Sequence, residues 1–211
     1  MRFKLPDSRL ECSGWIDEDK AILKKHRSLS IKDKVFYLKN RFHIVFFGPM
    51  DTCFLRSAPY HRRVNSKDFS FFLLGTTLIC CAMEAVGAFM LGGKERPSPG
   101  ENKRRFVKFL QHYMKSWNKS TAGGTHIPNW MWNNLRNSLA HSMTISRGGM
   151  ADLGKKRFNE VRHGVVTIHA ESLYRDFRRG FSAYLRDVER KTSLKRNFER
   201  RFKYSLVDVH S

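Results

Sequence analysis

Acidic side chains are scarce in this sequence of 211 residues. Its 19 Asp and Glu stand against 40 Lys and Arg, which gives a formal net charge of +21. A field of this sign attracts polyanions such as RNA, DNA and anionic membranes, with an affinity that weakens as salt is added. Charge does not specify a fold, and some basic proteins are merely soluble. The shortage of acids therefore favours a polyanionic partner without identifying it.

Cysteines are also few, and none of the four forms a C-x-x-C pair. Their arrangement excludes a zinc ribbon and a disulfide framework, and it fits a reducing cytoplasm. The nine histidines include no H-E-x-x-H pair, and Gly123-Gly124 lacks the Lys-Ser/Thr of a P-loop. The stretch Met1 to Asp19 has no apolar signal core. We therefore expect a cytoplasmic protein without metal or cofactor.

One long apolar run, Phe69 to Leu91, is interrupted by Glu84. A membrane-spanning helix needs about 20 apolar residues with few or no charges. A carboxylate near the middle of a bilayer costs about 3 kcal/mol. The run therefore predicts a central helix buried in protein, not a membrane span. Because a buried Glu is rare unless it is paired, we expect a cationic partner, for which Arg136 is the candidate.

Helical periodicity dominates the rest of the chain, and the 17 Phe supply enough apolar surface for one core. The predicted helices are Ser30–Phe47, 69–91, Asn102–Trp117, Asn129–Met143 and Glu171–Arg190. The predicted loops are Gly48–Asn65, 94–100 and 121–128. Two β-branched segments, Ser142–Ser146 and Val165–His169, predict a short β-hairpin after the fourth helix.

The fourth predicted helix reads NWMWNNLRNSLAHSM over residues 129–143. Two ridges at spacing i, i+4, i+8 run along it, one apolar (Met131, Leu135, Leu139) and one polar (Asn133, Asn137, His141). Arg136 lies five residues before His141, about 140° away around an ideal helix. Either the helix loosens near His141, or another element or another copy of the chain completes the site.

The segment Arg136–His141 resembles the Arg-polar-x-x-x-His signature of HEPN (higher eukaryote and prokaryote nucleotide-binding) domains. The order of helices over residues 66–190 is similar as well. The resemblance implies a mainly α fold, a HEPN-like bundle of four to five helices. Residues 1–65 would form a helical or irregular extension, and residues 191–211 a basic tail or short helix.

Many HEPN domains are metal-independent endoribonucleases, and this resemblance implies the same activity here. RNA can be cut by its own 2′-hydroxyl, with His141 moving the proton, Arg136 clamping the phosphate and Asn137 orienting the groups. Glu84 and Asn133 would support them at a composite homodimer site. The protein would then be a toxin or defence effector, with a separate antitoxin or regulatory protein. The expected RNA-contacting residues are Arg62, Arg63, Lys103, Arg104 and Arg105.

Each of these residues also has a structural explanation. His141 could be an ordinary histidine at a helix end, where the macrodipole favours it. Arg136 could be only an ion-pair partner, and Asn137 only a cap. Two other functions therefore stay open: a catalytically inactive HEPN-like protein that mediates dimerisation, and a basic nucleic-acid-binding module without chemistry.

Overall fold

The computed structural model describes residues 28–54, 66–93, 97–138, 148–151, 157–162 and 165–204. This part of the chain is mainly helical, as predicted. Its elements are α1 (Ile31–Phe42), α2 (Gly48–Phe54), α3 (Ser66–Leu91), α4 (Glu101–Tyr113), α5 (Ile127–Trp130), β1 (Gly148–Ala151), β2 (Phe158–Arg162), β3 (Val165–His169), α6 (Ala170–Arg190) and α7 (Thr192–Phe202).

Helix α1 begins at a capping box. The Ser30 hydroxyl accepts a hydrogen bond from the backbone N–H of Asp33, and the Asp33 carboxylate accepts one from the N–H of Ser30. The predicted helix Ser30–Phe47 is helical from Ile31 onward, with Ser30 as its N-cap, and His43–Phe47 adopts a π-helical turn.

The predicted loop Gly48–Asn65 is wrong at its start, because α2 occupies Gly48–Phe54. The π-helical turn ends with the N–H of Gly48 donating to the carbonyl of His43, so the chain stays helical. Pro49 then falls in the first turn of α2, where a proline is tolerated because its missing N–H is not needed. Residues 55–65 lie outside the described part.

The long apolar run forms α3, the element on which α4, α6 and α7 pack. The predicted central helix is confirmed, with Ile79, Met83 and Val86 fully buried. It ends at Gly92, whose φ of 65° is a left-handed conformation that glycine adopts readily. Its segment Leu73–Leu91 is long and apolar enough to cross a membrane, yet 61% of it is buried against the rest of the protein.

Helices α6 and α7 complete the core. Helix α6 buries one face along its whole length and exposes arginines on the other. The predicted alternative of a C-terminal helix, not a tail, is confirmed for Thr192–Phe202. Phe198 and Phe202 are buried in the same hydrophobic cluster as side chains of α1, α3 and α6. Residues outside 66–190 therefore contribute to the same core.

A three-stranded sheet follows the fourth predicted helix, in the order β1-β3-β2. Strand β3 pairs in parallel with β1 and antiparallel with β2. The predicted strand Val165–His169 is thus confirmed, while its predicted partner Ser142–Ser146 lies outside the described residues. The buried carboxylate of Asp176 in α6 accepts hydrogen bonds from the indole of Trp117, at 2.9 Å, and from Arg157, next to β2. It thereby ties the sheet to the helices.

We expect Gly87→Ala to lower the free energy of unfolding by roughly 1–3 kcal/mol, the usual cost of overpacking. A Cβ atom at Gly87 would lie 2.2 Å from the backbone oxygen of Arg105, so α3 and α4 would have to separate. Chemical denaturation measures the change. Glu189→Ala, on the exposed side of α6, is the control and should cost no more than about 0.5 kcal/mol. An equal effect of both substitutions would contradict the packing of α4 against Gly87.

Candidate functional site

The helix that carries the Arg136 motif changes from α-helical to π-helical hydrogen bonding at Met131. It starts as α5 with Pro128 in the first turn, and Met131–Arg136 is a π-helical segment. The N–H of Asn137 accordingly donates to the carbonyl of Trp132, five residues earlier. Such turns inside α-helices are frequent at functional sites. The helix is thus wound more loosely over Met131–Arg136, a segment that ends at the first residue of the motif. The sequence alternative of loosening near His141 concerns a residue outside the described part.

The two predicted ridges of this helix are present as far as it is described. Met131 and Leu135 are fully buried, whereas Asn133 is exposed and Asn137 is half-buried. The last member of each ridge, Leu139 or His141, lies beyond residue 138. One side of the motif helix is therefore fixed in the core, and the other presents amides to solvent.

The Arg136 guanidinium lies between the motif helix and α3, where Glu84 binds it. Its Nη2 is 2.6 Å from Oε2 of Glu84, and its Nε donates to the same oxygen at 2.9 Å. Both side chains are largely buried, with 18% of Arg136 and 15% of Glu84 exposed. The pairing that the sequence suggested is confirmed. It satisfies the one carboxylate in the apolar stretch 69–91.

Two further contacts orient Arg136. Its Nη1 donates to Oδ1 of Asn137 at 3.3 Å, and its Cζ lies 4.8 Å from the ring centroid of Trp132. Trp132 is itself buried and packs against Phe106. The sequence analysis did not predict this cation–π contact. The four-residue spacing from Trp132 to Arg136 was the available signal.

The guanidinium retains donor capacity after these contacts. Of its five N–H groups, three bond Glu84 and Asn137, so one on Nη1 and one on Nη2 have no partner among the residues described. A planar pair of N–H groups suits phosphate or carboxylate oxygens. This arrangement can bind an anion without breaking the ion pair with Glu84.

The two cysteines beside this ion pair are unsuited to nucleophilic chemistry. Burial raises the pKa of the Cys80 thiol, and the neighbouring Cys81 raises it further. Burial also raises the pKa of Cys81, although the positive charge of Arg136 opposes the shift. Since the thiolate is the reactive form, both side chains stay in their inert thiol form at neutral pH.

The predicted RNA-contacting residues are in different environments. Arg104 is exposed and Lys103 is partly exposed, so both can reach a ligand. Arg105 was wrongly included: it is only 3% exposed and binds Glu101 at 2.7 Å, because it lies on the side of α4 that faces α3. Arg62 and Arg63 lie outside the described residues.

The fold and the site define a mainly helical, strongly basic protein with an anchored arginine on a motif helix that contains a π-helical turn. No protein-family model, curated protein sequence or solved structure matches the chain. The resemblance to HEPN domains therefore rests on the motif and on the order of the helices.

We expect Arg136→Met to lower the free energy of unfolding by about 2–3 kcal/mol, because it leaves the Glu84 carboxylate largely buried without its partner. Combining it with Glu84→Gln should recover part of the loss, which a double-mutant cycle measures by chemical denaturation. Arg175→Met is the matched control: Arg175 pairs with Glu171 but is 57% exposed, so its loss should cost less than about 1 kcal/mol. Equal costs for Arg136→Met and Arg175→Met would contradict this view of the site.

Proposed function

We propose that this protein is a metal-independent endoribonuclease of HEPN type, with Arg136, Asn137 and His141 as its working residues. The observation that carries the proposal is the anchored Arg136 guanidinium, which keeps two N–H groups without a partner among the described residues. Arg136 lies five residues before His141, the spacing of the motif. Asn133 and Glu84 support the site from the motif helix and from α3.

The reaction needs only proton transfer and charge stabilisation. The 2′-hydroxyl of RNA attacks the adjacent phosphorus, the bond to the 5′-oxygen breaks, and a 2′,3′-cyclic phosphate forms. An imidazole titrates near neutral pH, so His141 can move a proton to or from these oxygens. The Arg136 guanidinium stabilises the charge that develops on the phosphate oxygens, a contribution of about 3–4 kcal/mol for one well-placed donor.

Arg136 suits this role because its position is fixed before a substrate binds. Glu84, Asn137 and the ring of Trp132 hold the guanidinium from three directions. A donor oriented in advance stabilises a transition state without reorganising during the reaction. The same contacts would also serve a purely structural ion pair, so cleavage itself decides between an enzyme and an inactive interaction protein.

The proposed active site is shared between two copies of the chain in a homodimer. The solvent side of α3 carries Leu74, Leu78, Cys81 and Ala85 at helical spacing, all exposed in the described structure and all uncharged. Cys81 and Ala85 flank Glu84 along α3, and Glu84 binds Arg136, so this face borders the site. Because molecules of charge +21 repel one another, an uncharged face is where two copies can meet. A separate regulatory protein remains a prediction.

We expect wild type to cleave RNA in the presence of EDTA, and His141→Ala to abolish cleavage while retaining the fold and RNA binding. Arg136→Ala should lower the rate by about a hundredfold or more, because it removes the charge that stabilises the phosphorane. Gel analysis of labelled RNA, with circular dichroism as a check on folding, measures both. Arg175→Ala is the control and should stay active. Cleavage that survives in His141→Ala would place the activity elsewhere or in a contaminant.

Mixing two inactive variants tests whether the site is shared between copies. If Arg136 of one copy works with His141 of the other, mixed dimers of Arg136→Ala and His141→Ala contain one intact site. Random exchange should then restore about one quarter of wild-type activity. No recovery in dimers verified by light scattering would mean that both residues act from one chain. Leu78→Glu should separate the dimers and remove the recovery; persistent dimers would exclude the α3 face as the interface.

A further inference from the structure

A line of cations that sequence analysis left unassigned runs along the solvent side of α7. Arg196, Arg200 and Lys203 are exposed and follow the spacing i, i+4, i+7, so they share one side of the helix. They span roughly 10 Å at the rise of an α-helix. Within the described part of the chain, their side chains make no hydrogen bond or ion pair. We call these three residues the α7 ridge.

The helix that carries the ridge is held firmly from its other side. Phe198 and Phe202 are buried in the core. The amide of Asn197 donates to the carbonyl of Met90 at 3.0 Å, and Arg201 donates to the carbonyl of Gly93 at 3.2 Å. Both contacts fasten α7 to the end of α3. The ridge therefore presents its charges from a rigid support, so binding does not have to order the backbone first.

Few acidic groups offset these charges. Glu199 is the one acidic residue in α7, and its carboxylate lies 3.7 Å from Nζ of Lys34. Arg186 and Arg190, in the last two turns of α6, are exposed and make no ion pair within the described structure. Asp187 and Glu189 lie in the same turns of α6, so the unbalanced positive charge is concentrated on the outer side of α7.

We propose that the α7 ridge binds the phosphate backbone of RNA and holds the substrate of the ribonuclease proposed above; the choice of RNA rests on that proposed function. Arginine presents a planar fork of donors that matches phosphate oxygens, and two of the three residues are arginines. Contacts of this kind are independent of base sequence. The ridge thus supplies affinity, while the Arg136 motif supplies the chemistry.

The chemistry of α7 favours a nucleic acid over a lipid surface. Helices that lie on membranes insert their apolar side chains into the headgroup region. Here the large apolar side chains, Phe198 and Phe202, are 0% and 1% exposed and already serve the core. The solvent side offers charge without an apolar anchor, which suits a flexible polyanion.

RNA binding by full-length protein tests the proposal. The triple variant Arg196→Ala, Arg200→Ala, Lys203→Ala is compared with Lys32→Ala, Lys39→Ala, Lys115→Ala, which removes the same charge from exposed sites elsewhere. Both carry His141→Ala so that the RNA is not cut. Fluorescence anisotropy with a labelled single strand of about 20 nucleotides, between about 50 and 200 mM salt, gives the affinity and its salt dependence.

We expect the ridge variant to bind roughly 10- to 100-fold more weakly, and its slope of log affinity against log salt to fall by about 2, since each phosphate contact on a single strand contributes about 0.7. The control variant should change affinity less than about threefold. Equal losses in the two variants would overturn the proposal, because only the overall charge would then matter. So would ridge-dependent binding to phosphatidylserine vesicles without ridge-dependent binding to RNA. Thermal denaturation of each variant confirms that the fold is intact.

Failure of the RNA-binding test and failure of the ribonuclease test can be told apart. Ridge-dependent RNA binding without cleavage by wild type would support the ridge and refute the enzyme. Cleavage by wild type with equal binding of the two triple variants would support the enzyme and refute the ridge.

Discussion

The fold depends on satisfying a carboxylate in the middle of its most apolar helix. Glu84 interrupts α3, and without a partner its charge would oppose burial of the element on which α4, α6 and α7 pack. Arg136 supplies that partner from the motif helix. The same bond therefore fastens the motif helix to α3 and fixes the guanidinium on which the proposed chemistry relies. The stability of the fold and the proposed function therefore depend on the same ion pair.

Other acidic groups join elements in the same way. Asp176 accepts hydrogen bonds from Trp117 and Arg157, and Asp51 accepts them from Tyr174 and Arg178. In a chain with twice as many basic as acidic residues, these carboxylates each serve more than one donor. The cations that remain on the outer side of α7 stay on the surface, where Glu199 is the one acidic residue of that helix. The basic surface follows from the excess of Lys and Arg, and the commitment of Asp176 and Asp51 to contacts between elements adds to it.

The sequence predicted the long helices well, because their apolar periodicity reports directly which side is buried. Helix α3, helix α6 and the inward ridge of Met131 and Leu135 follow from that pattern. The helix Gly48–Phe54 was missed because Gly48 and Pro49 are turn signals, and only the π-helical turn before them keeps the chain helical. Arg105 was misassigned because three consecutive basic residues look alike in sequence, whereas α4 turns one of them toward α3.

The sequence by itself determined the mainly helical fold, the basic surface, the central apolar helix and the need of Glu84 for a cationic partner, because each follows from composition or from a period of 3.6 residues. Only the tertiary structure decided that the motif helix adopts a π-helical turn and that α7 is fastened to the end of α3. These features depend on contacts between segments far apart in the chain, or on small differences in backbone hydrogen bonding that local residue preferences do not encode.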